Sequence, residues 1–321
     1  METGILHSPL GLKRGMEFIA IGGRDPGGRR MFSLEFIVQI LVGGVLIGGV
    51  YALVAVGLNL IFGVMKIINF AHGSLMMIAM YATFWLFKLL GIDPYISLLI
   101  SIPLLFLIGV IIQKVLLEPI LEAPEFNQLL LTMGLMLFLE NLAMFLWKSD
   151  FRTVNLPYFQ PGAIYLGEIM ISIPMLLAFG SAVLFGVILF LFLQKTDVGK
   201  AIRAASQDHE GALTVGISVK RIYLMAFGIG TACVGAAGTL AVPIFYISPD
   251  VGGSFVLMAF VVVVLGGLGS FQGSFLGGLI VGLAEAIGSM VLPGSLKQVA
   301  TWIIFVLVLI FRPSGLLGEA E

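Results

Sequence analysis

Apolar residues run through this chain in long blocks, separated by short polar interruptions. Crossing a bilayer as a helix takes about 20 predominantly apolar residues. On that measure the sequence offers nine candidate spans, some of them short: residues 34–55, 74–87, 95–113, 128–147, 173–194, 222–242, 254–268, 274–290 and 298–311. The polar/apolar alternation of a membrane β-barrel is absent. Backbone groups in lipid must close their hydrogen bonds internally, so helices are the expected form. The pattern predicts an all-α integral membrane protein, a polytopic bundle of about eight or nine transmembrane helices.

Two interruptions stand out. Residues 57–74 are mostly apolar yet carry Asn59, Lys66, Asn69, His72 and Ser74 between glycines, which predicts a broken helix. Two readings of it stand. Polar groups and irregular backbone at membrane depth line a cavity or lie buried in protein. Alternatively, this is a short cytoplasmic turn with Lys66 at the interface and His72 starting the next helix. The second interruption, Gly266-Gly267-Leu268-Gly269-Ser270, divides a charge-free stretch too long for one span. Its continuation, Phe271-Gln272-Gly273-Ser274, echoes the Phe and Gly-Ser of the first break.

Composition agrees with the pattern. Of 321 residues, 59% are hydrophobic and 11% charged, against about 25% charged in ordinary soluble domains, and the mean hydropathy is +1.11. A soluble fold has too little interior for that much apolar surface. The net charge of −1 says nothing about nucleic acid, but no basic run looks like a phosphate-binding stripe, and no nucleic-acid partner is expected. Cys233 is the single cysteine, and His7, His72 and His209 are scattered, so neither a disulfide nor a metal cluster is expected.

Lysine and arginine set the orientation. Lys195, Lys200, Arg203, Lys220 and Arg221 share one loop, residues 195–221, which is therefore expected in the cytoplasm. Threading outward puts Lys66, Lys114, Arg312 and the C-terminus on that side, with Lys88, Lys148, Arg152 and Lys297 opposite. Residues 1–30, with Lys13, Arg14, Arg24, Arg29 and Arg30, read as a disordered tail or a misassigned start, and residues 31–321 as one transmembrane domain. Nine full spans would place those five charges outside. Either translation starts at Met31, or residues 34–87 make one span plus a broken or re-entrant piece.

Glu140, followed by Asn141, and Glu285 interrupt apolar spans. A charge at a helix centre costs about 2.5–3.5 kcal/mol on insertion scales, so each carboxylate should face the bundle interior, a polar cavity or an interface. An interhelical hydrogen bond and a transport role both fit.

The 195–221 loop carries the most order. Lys200, Arg203 and Gln207 recur at helical spacing. Asp208 is placed to cap a second short helix that Gly216 closes. Glu210 adds charge, and Ala201, Ala204, Ala205 and Ala212 offer small faces suited to a partner's groove. Such a loop reads as a docking surface, or else as a pair of interfacial helices with a solvated face.

The run from Gly199 to Ile217 strongly resembles the coupling loop of branched-chain amino acid ABC transporter permeases. Ile67-Ile-Asn-Phe-Ala-His-Gly73, Leu265-Gly-Gly-Leu-Gly-Ser-Phe-Gln-Gly-Ser274 and Arg312-Pro-Ser-Gly-Leu-Leu-Gly318 agree with the same family. The resemblance covers nearly everything after Met31. It implies a prokaryotic inner-membrane importer in which this chain and a second permease subunit form the path. Two cytoplasmic ATPase subunits would bind ATP and Mg, and a periplasmic substrate-binding protein would deliver the cargo. This chain has no G-x-x-x-x-G-K-[ST] motif and is expected to hold no cofactor and perform no catalysis. The resemblance makes Lys200, Arg203, Gln207, Asp208, Glu210 and Gly216 the ATPase-coupling residues. Asn59, Asn69, His72, Ser74, Glu140, Asn141 and Glu285 are candidates for the translocation path. Residues 148–173, with Pro157, Tyr158, Phe159 and Pro161, are expected to meet the binding protein. Branched-chain amino acids are the expected substrate. Urea or short amides are the alternative, and a stand-alone proton-coupled carrier using Glu140 and Glu285 is the reading of a different class.

Overall fold

The computed structural model of the chain describes residues 34–156, 162–167, 169–292, 296–312 and 314–318. The readings made for residues 1–30, Met31, Pro157, Tyr158, Phe159 and Pro161 lie outside that set. In chain order the elements are α1 (Leu34–Met65), α2 (His72–Leu90), α3 (Pro94–Ile112) and α4 (Glu125–Trp147). A small antiparallel hairpin, β1 (Ala163–Leu166) and β2 (Ile169–Ser172), comes next. It leads into α5 (Ile173–Lys195), α6 (Asp197–Gln207) and α7 (His209–Thr214). The chain then runs through α8 (Val219–Ala241), α9 (Val251–Gly266), α10 (Phe271–Val291) and α11 (Lys297–Phe311). Seven of the described helices are long and apolar enough to cross a membrane, and α9 and α11 are shorter apolar helices. This is a polytopic all-α membrane protein.

The central helix is α1. Its 32 residues rise about 48 Å, more than a bilayer core needs. The sequence pattern ended the first span at Ala55 and began the break at Gly57. The helix instead runs through Gly57 and Gly63 to Met65, and the break is confined to residues 66–71. The reason is packing. A methyl group on Gly57 would stand 2.5 Å from the Gly230 carbonyl oxygen of α8, so this glycine permits close approach and does not end the helix. The turn itself begins at Lys66, whose φ of +57° is the left-handed conformation.

Where side chains are small, helices meet backbone to backbone. Along the α1–α10 seam, a methyl group on Gly48 would lie 2.8 Å from the Gly278 oxygen, and one on Gly278 would lie 2.5 Å from Ala52 Cα. Lipid tails are as apolar as leucine, so such close packing, with hydrogen bonds, is what holds membrane helices together. Thr231 Oγ of α8 donates to Leu105 O of α3 at 3.0 Å, and Thr83 Oγ of α2 donates to Thr239 Oγ of α8 at 3.0 Å. By contrast α4 lies at the edge, its apolar flank largely exposed.

The second interruption falls where the sequence placed it. Gly267 (φ +108°) ends α9, Gly269 (φ +84°) completes the turn, and Ser270 caps α10 by accepting from Gly273 N at 3.1 Å. The C-terminal segment docks on this break. Leu316 N donates to Leu265 O at 2.9 Å and Leu317 N to Gly266 O at 3.0 Å, satisfying carbonyls that the end of α9 leaves open.

Candidate functional site

The loop between α5 and α8 folds as two capped helices. Thr196 accepts from Gly199 N at 3.0 Å and starts α6. Asp208 ends α6 and accepts from Gly211 N at 2.9 Å, capping α7 as expected. Gly216, at φ +84°, closes α7. Gly199, Ile202 and Ala205 turn inward, while Lys200, Arg203, Gln207, Asp208, Glu210 and Gly216 are exposed. Lys200 pairs with Asp197 at 3.2 Å, and His209 Nδ1 lies 3.0 Å from the Tyr223 hydroxyl. The alanines need correction as a partner-facing set. Ala205 and Ala212 are buried in this chain, and the most exposed apolar groups are Leu213 and Val215, at 53% and 75%. Alanine spacing alone does not tell which neighbour a small face meets.

Across from α6 lies a cavity of about 250 Å³. Ile202, Arg203 and Ser206 of α6 form one wall, and Asn59 of α1 with Ser270 and Gln272 form another. The Asn59 side chain is buried and fully engaged. Its Oδ1 accepts from Gly269 N at 2.7 Å, and its Nδ2 donates to Ser270 O at 2.8 Å and Ser274 Oγ at 2.7 Å. One asparagine thus fixes the α9–α10 break to α1, within reach of the α6 surface.

The 66–71 turn carries features of both readings. Lys66 is exposed, as a turn at an interface requires, yet Asn69 and His72 are fully buried. His72 Nε2 donates to Val54 O at 3.1 Å. Val54 precedes Met65 by eleven residues, so the His72 side chain reaches a point about 16 Å back along α1 from its end. Gly73, at the start of α2, packs directly on Gly252, at the start of α9. Two helix N-termini therefore meet inside the bundle, as the broken helices of transporter sites do. Both amide atoms of Asn69 lack a hydrogen-bond partner among the described residues. Thr132 Oγ ties α4 to the turn by donating to Ile68 O at 2.9 Å.

Of the remaining candidates the fold brings Ser74 and Glu140 together, while Asn141 and Glu285 lie apart from them. Ser74 Oγ lies 3.5 Å from Glu140 Oε1 of α4, while Asn141 is exposed and donates to Leu137 O of its own helix at 2.7 Å. Glu285 is buried on α10, where Tyr51 of α1 donates to its carboxylate at 2.6 Å. Sequence reasoning missed Tyr51, which sits in an unbroken apolar run 234 positions away. It also missed the β1–β2 hairpin, which lies within the segment expected to meet a binding protein. Among the described residues, no three His, Cys, Asp or Glu side chains gather to hold a metal.

The sequence profile described as branched-chain amino acid transport system / permease component matches residues 40–311. This chain belongs to that permease family. The permease is 33% identical to the high-affinity branched-chain amino acid transport system permease protein BraD of Pseudomonas aeruginosa over 314 residues, which covers 91% of this chain and 99% of BraD. It is 32% identical to the correspondingly named LivH of Escherichia coli K12, covering 89% of this chain and 97% of LivH. A second permease protein of that E. coli system, LivM, is 35% identical over 144 residues, or 41% of this chain and 32% of LivM. No solved structure matches the permease significantly.

Proposed function

We propose that this permease pairs with a second, related permease to form the membrane path of an ATP-driven importer for branched-chain amino acids. Separate cytoplasmic ATPases drive it, and a periplasmic protein supplies the substrate. The observation that carries the assignment is the capped α6–α7 pair, an ordered polar surface at one end of the bundle in a chain that has no P-loop of its own. ATPase closure presses on α6 and α7 through Arg203, Gln207, Glu210 and the exposed Leu213. The motion passes across the α6 cavity to Asn59 and the α9–α10 break. The likeness of one chain to both LivH and LivM supports a path built from two related halves. The docking of the C-terminal segment on the α9–α10 break, which borders the α6 cavity, supports a C-terminus on the same side as α6 and α7. Co-purification of the tagged permease from its native membrane tests the assignment: two ATPase subunits and a second permease are expected with it. Repeated recovery of the chain alone, in several mild detergents, would refute it.

A further inference from the structure

We propose that the exposed face of α4 is the joint with the second permease, an inference that rests on the transport reading and names the surface on which the two permeases meet. Along α4, Leu130, Gly134, Leu137, Asn141 and Phe145 recur every three or four residues, so they share one side of the helix. All five are exposed, while Gln128, Thr132 and Ala143 are buried on the opposite side. Gly134 and Asn141, two helical turns apart, sit at the middle of the exposed side and not at its borders. Asn141 also lies well inside the apolar span, about 24 Å from the start of α4 and about 9 Å from its end at Trp147.

Neither residue suits a face that meets lipid. Hydrocarbon offers an amide no hydrogen-bond partner. Asn141 turns its Nδ2 back on Leu137 O of its own helix at 2.7 Å, a local bond that uses one of its two N–H groups and not its carbonyl oxygen. A methyl group on Gly134 would meet nothing within 4 Å, so no neighbour in this chain explains a glycine there. Glycine also weakens a helix interior relative to alanine. Other exposed faces are built differently. Among the described residues, those of α3 and α11 carry apolar side chains throughout, and α5 exposes Gly180 but no polar side chain until Gln194 near its end.

A glycine and an amide on one face are what a second helix uses: the first lets backbones approach and the second hydrogen-bonds across the contact. Lipid tails would cover Leu130, Leu137 and Phe145 and leave the amide unanswered. The transport reading supplies the helix, because two related permeases enclosing one path meet on equivalent surfaces about a pseudo-two-fold axis. Glu140, half-buried beside Asn141 and 3.5 Å from Ser74, lies on the flank of this face. The joint therefore brings its carboxylate to the margin between the two chains and away from lipid.

Photocrosslinking of the assembled transporter in its native membrane tests the proposal. Gly134→Cys and Asn141→Cys, each in a Cys233→Ala background, give this chain a single thiol for benzophenone maleimide. Illumination should join the tagged chain to the second permease, identified by mass spectrometry of the adduct. Leu99→Cys, on the exposed apolar face of α3, should yield lipid adducts alone. Asn141→Leu should lower the second permease recovered with the tagged chain about threefold to tenfold, as loss of one interhelical hydrogen bond implies, and Asn141→Gln should retain it. Gly134→Trp fills space that is open within this chain, so the chain still folds and loses its partner, whereas Leu99→Trp keeps it. Lipid adducts alone at residues 134 and 141, or a cross-link to a second copy of this chain, would overturn the assignment. So would undiminished recovery with both Asn141→Leu and Gly134→Trp. A second permease that never accompanies even the unaltered chain would refute the transport reading. One that accompanies it yet takes no label from residues 134 and 141 would refute the α4 joint alone.

Discussion

Replacing Asn59 with alanine removes three hydrogen bonds of 2.7–2.8 Å that join α1 to the α9–α10 break. The loss is larger than that of an exposed asparagine, because the Gly269 N–H loses its Asn59 acceptor and the Ser270 carbonyl its Asn59 donor inside the bundle. Polar contacts between membrane helices contribute on average about 0.6 and at most about 1.7 kcal/mol each. Unsatisfied buried groups cost about 1–3 kcal/mol. Asn59→Ala should therefore destabilise the permease by about 2–4 kcal/mol, read from the SDS-titrated unfolding midpoint in mixed micelles. Leucine uptake should fall further than stability alone accounts for, since the break faces Arg203 across the α6 cavity. Asn59→Asp keeps the acceptor for Gly269 N and loses both donors, so it should fall between alanine and the native residue in stability. An alanine variant with an unchanged midpoint and normal uptake would refute the view that this side chain secures the break.

Arg203→Glu should abolish leucine uptake while leaving carbonate-resistant membrane insertion intact; normal uptake in that variant would remove α6 from the coupling surface. A methyl group on Gly278 would lie 2.5 Å from Ala52 Cα, so Gly278→Ala should lower stability by about 1–3 kcal/mol, measured in the same SDS titration. Lys148 has φ +61° and ψ −175°, a conformation that favours glycine. Lys148→Gly should raise stability by about 1–3 kcal/mol, and a lowered midpoint would count against strain there.

Much of the fold is legible in the sequence because membrane helices announce themselves by length and hydropathy. The α9–α10 break, the Asp208 cap and the Gly216 stop are also legible, since each depends on chemistry within a few residues. The misread boundary at Gly57 has a physical origin: glycine both ends helices and lets them approach, and only the neighbour, here Gly230, tells which. Ala205 and Ala212 failed in the same way, because a small face does not name the surface it meets. The Tyr51–Glu285 pair joins positions too far apart for any local pattern. Asn59 was suspected for its polarity, but its partners Gly269, Ser270 and Ser274 become visible only once α1 and α10 are side by side.

The seam between those two helices has a mechanical consequence. Interlocked side chains must change rotamer before one helix can slip past another, and each such step is an activation barrier. At Gly48, Ala52, Gly278 and Gly282 there are almost no side chains to disengage. The surface behaves as a plain bearing, stiff against separation and smooth against small sliding. A machine that must cycle many times through two shapes without unpacking its core is well served by such a joint.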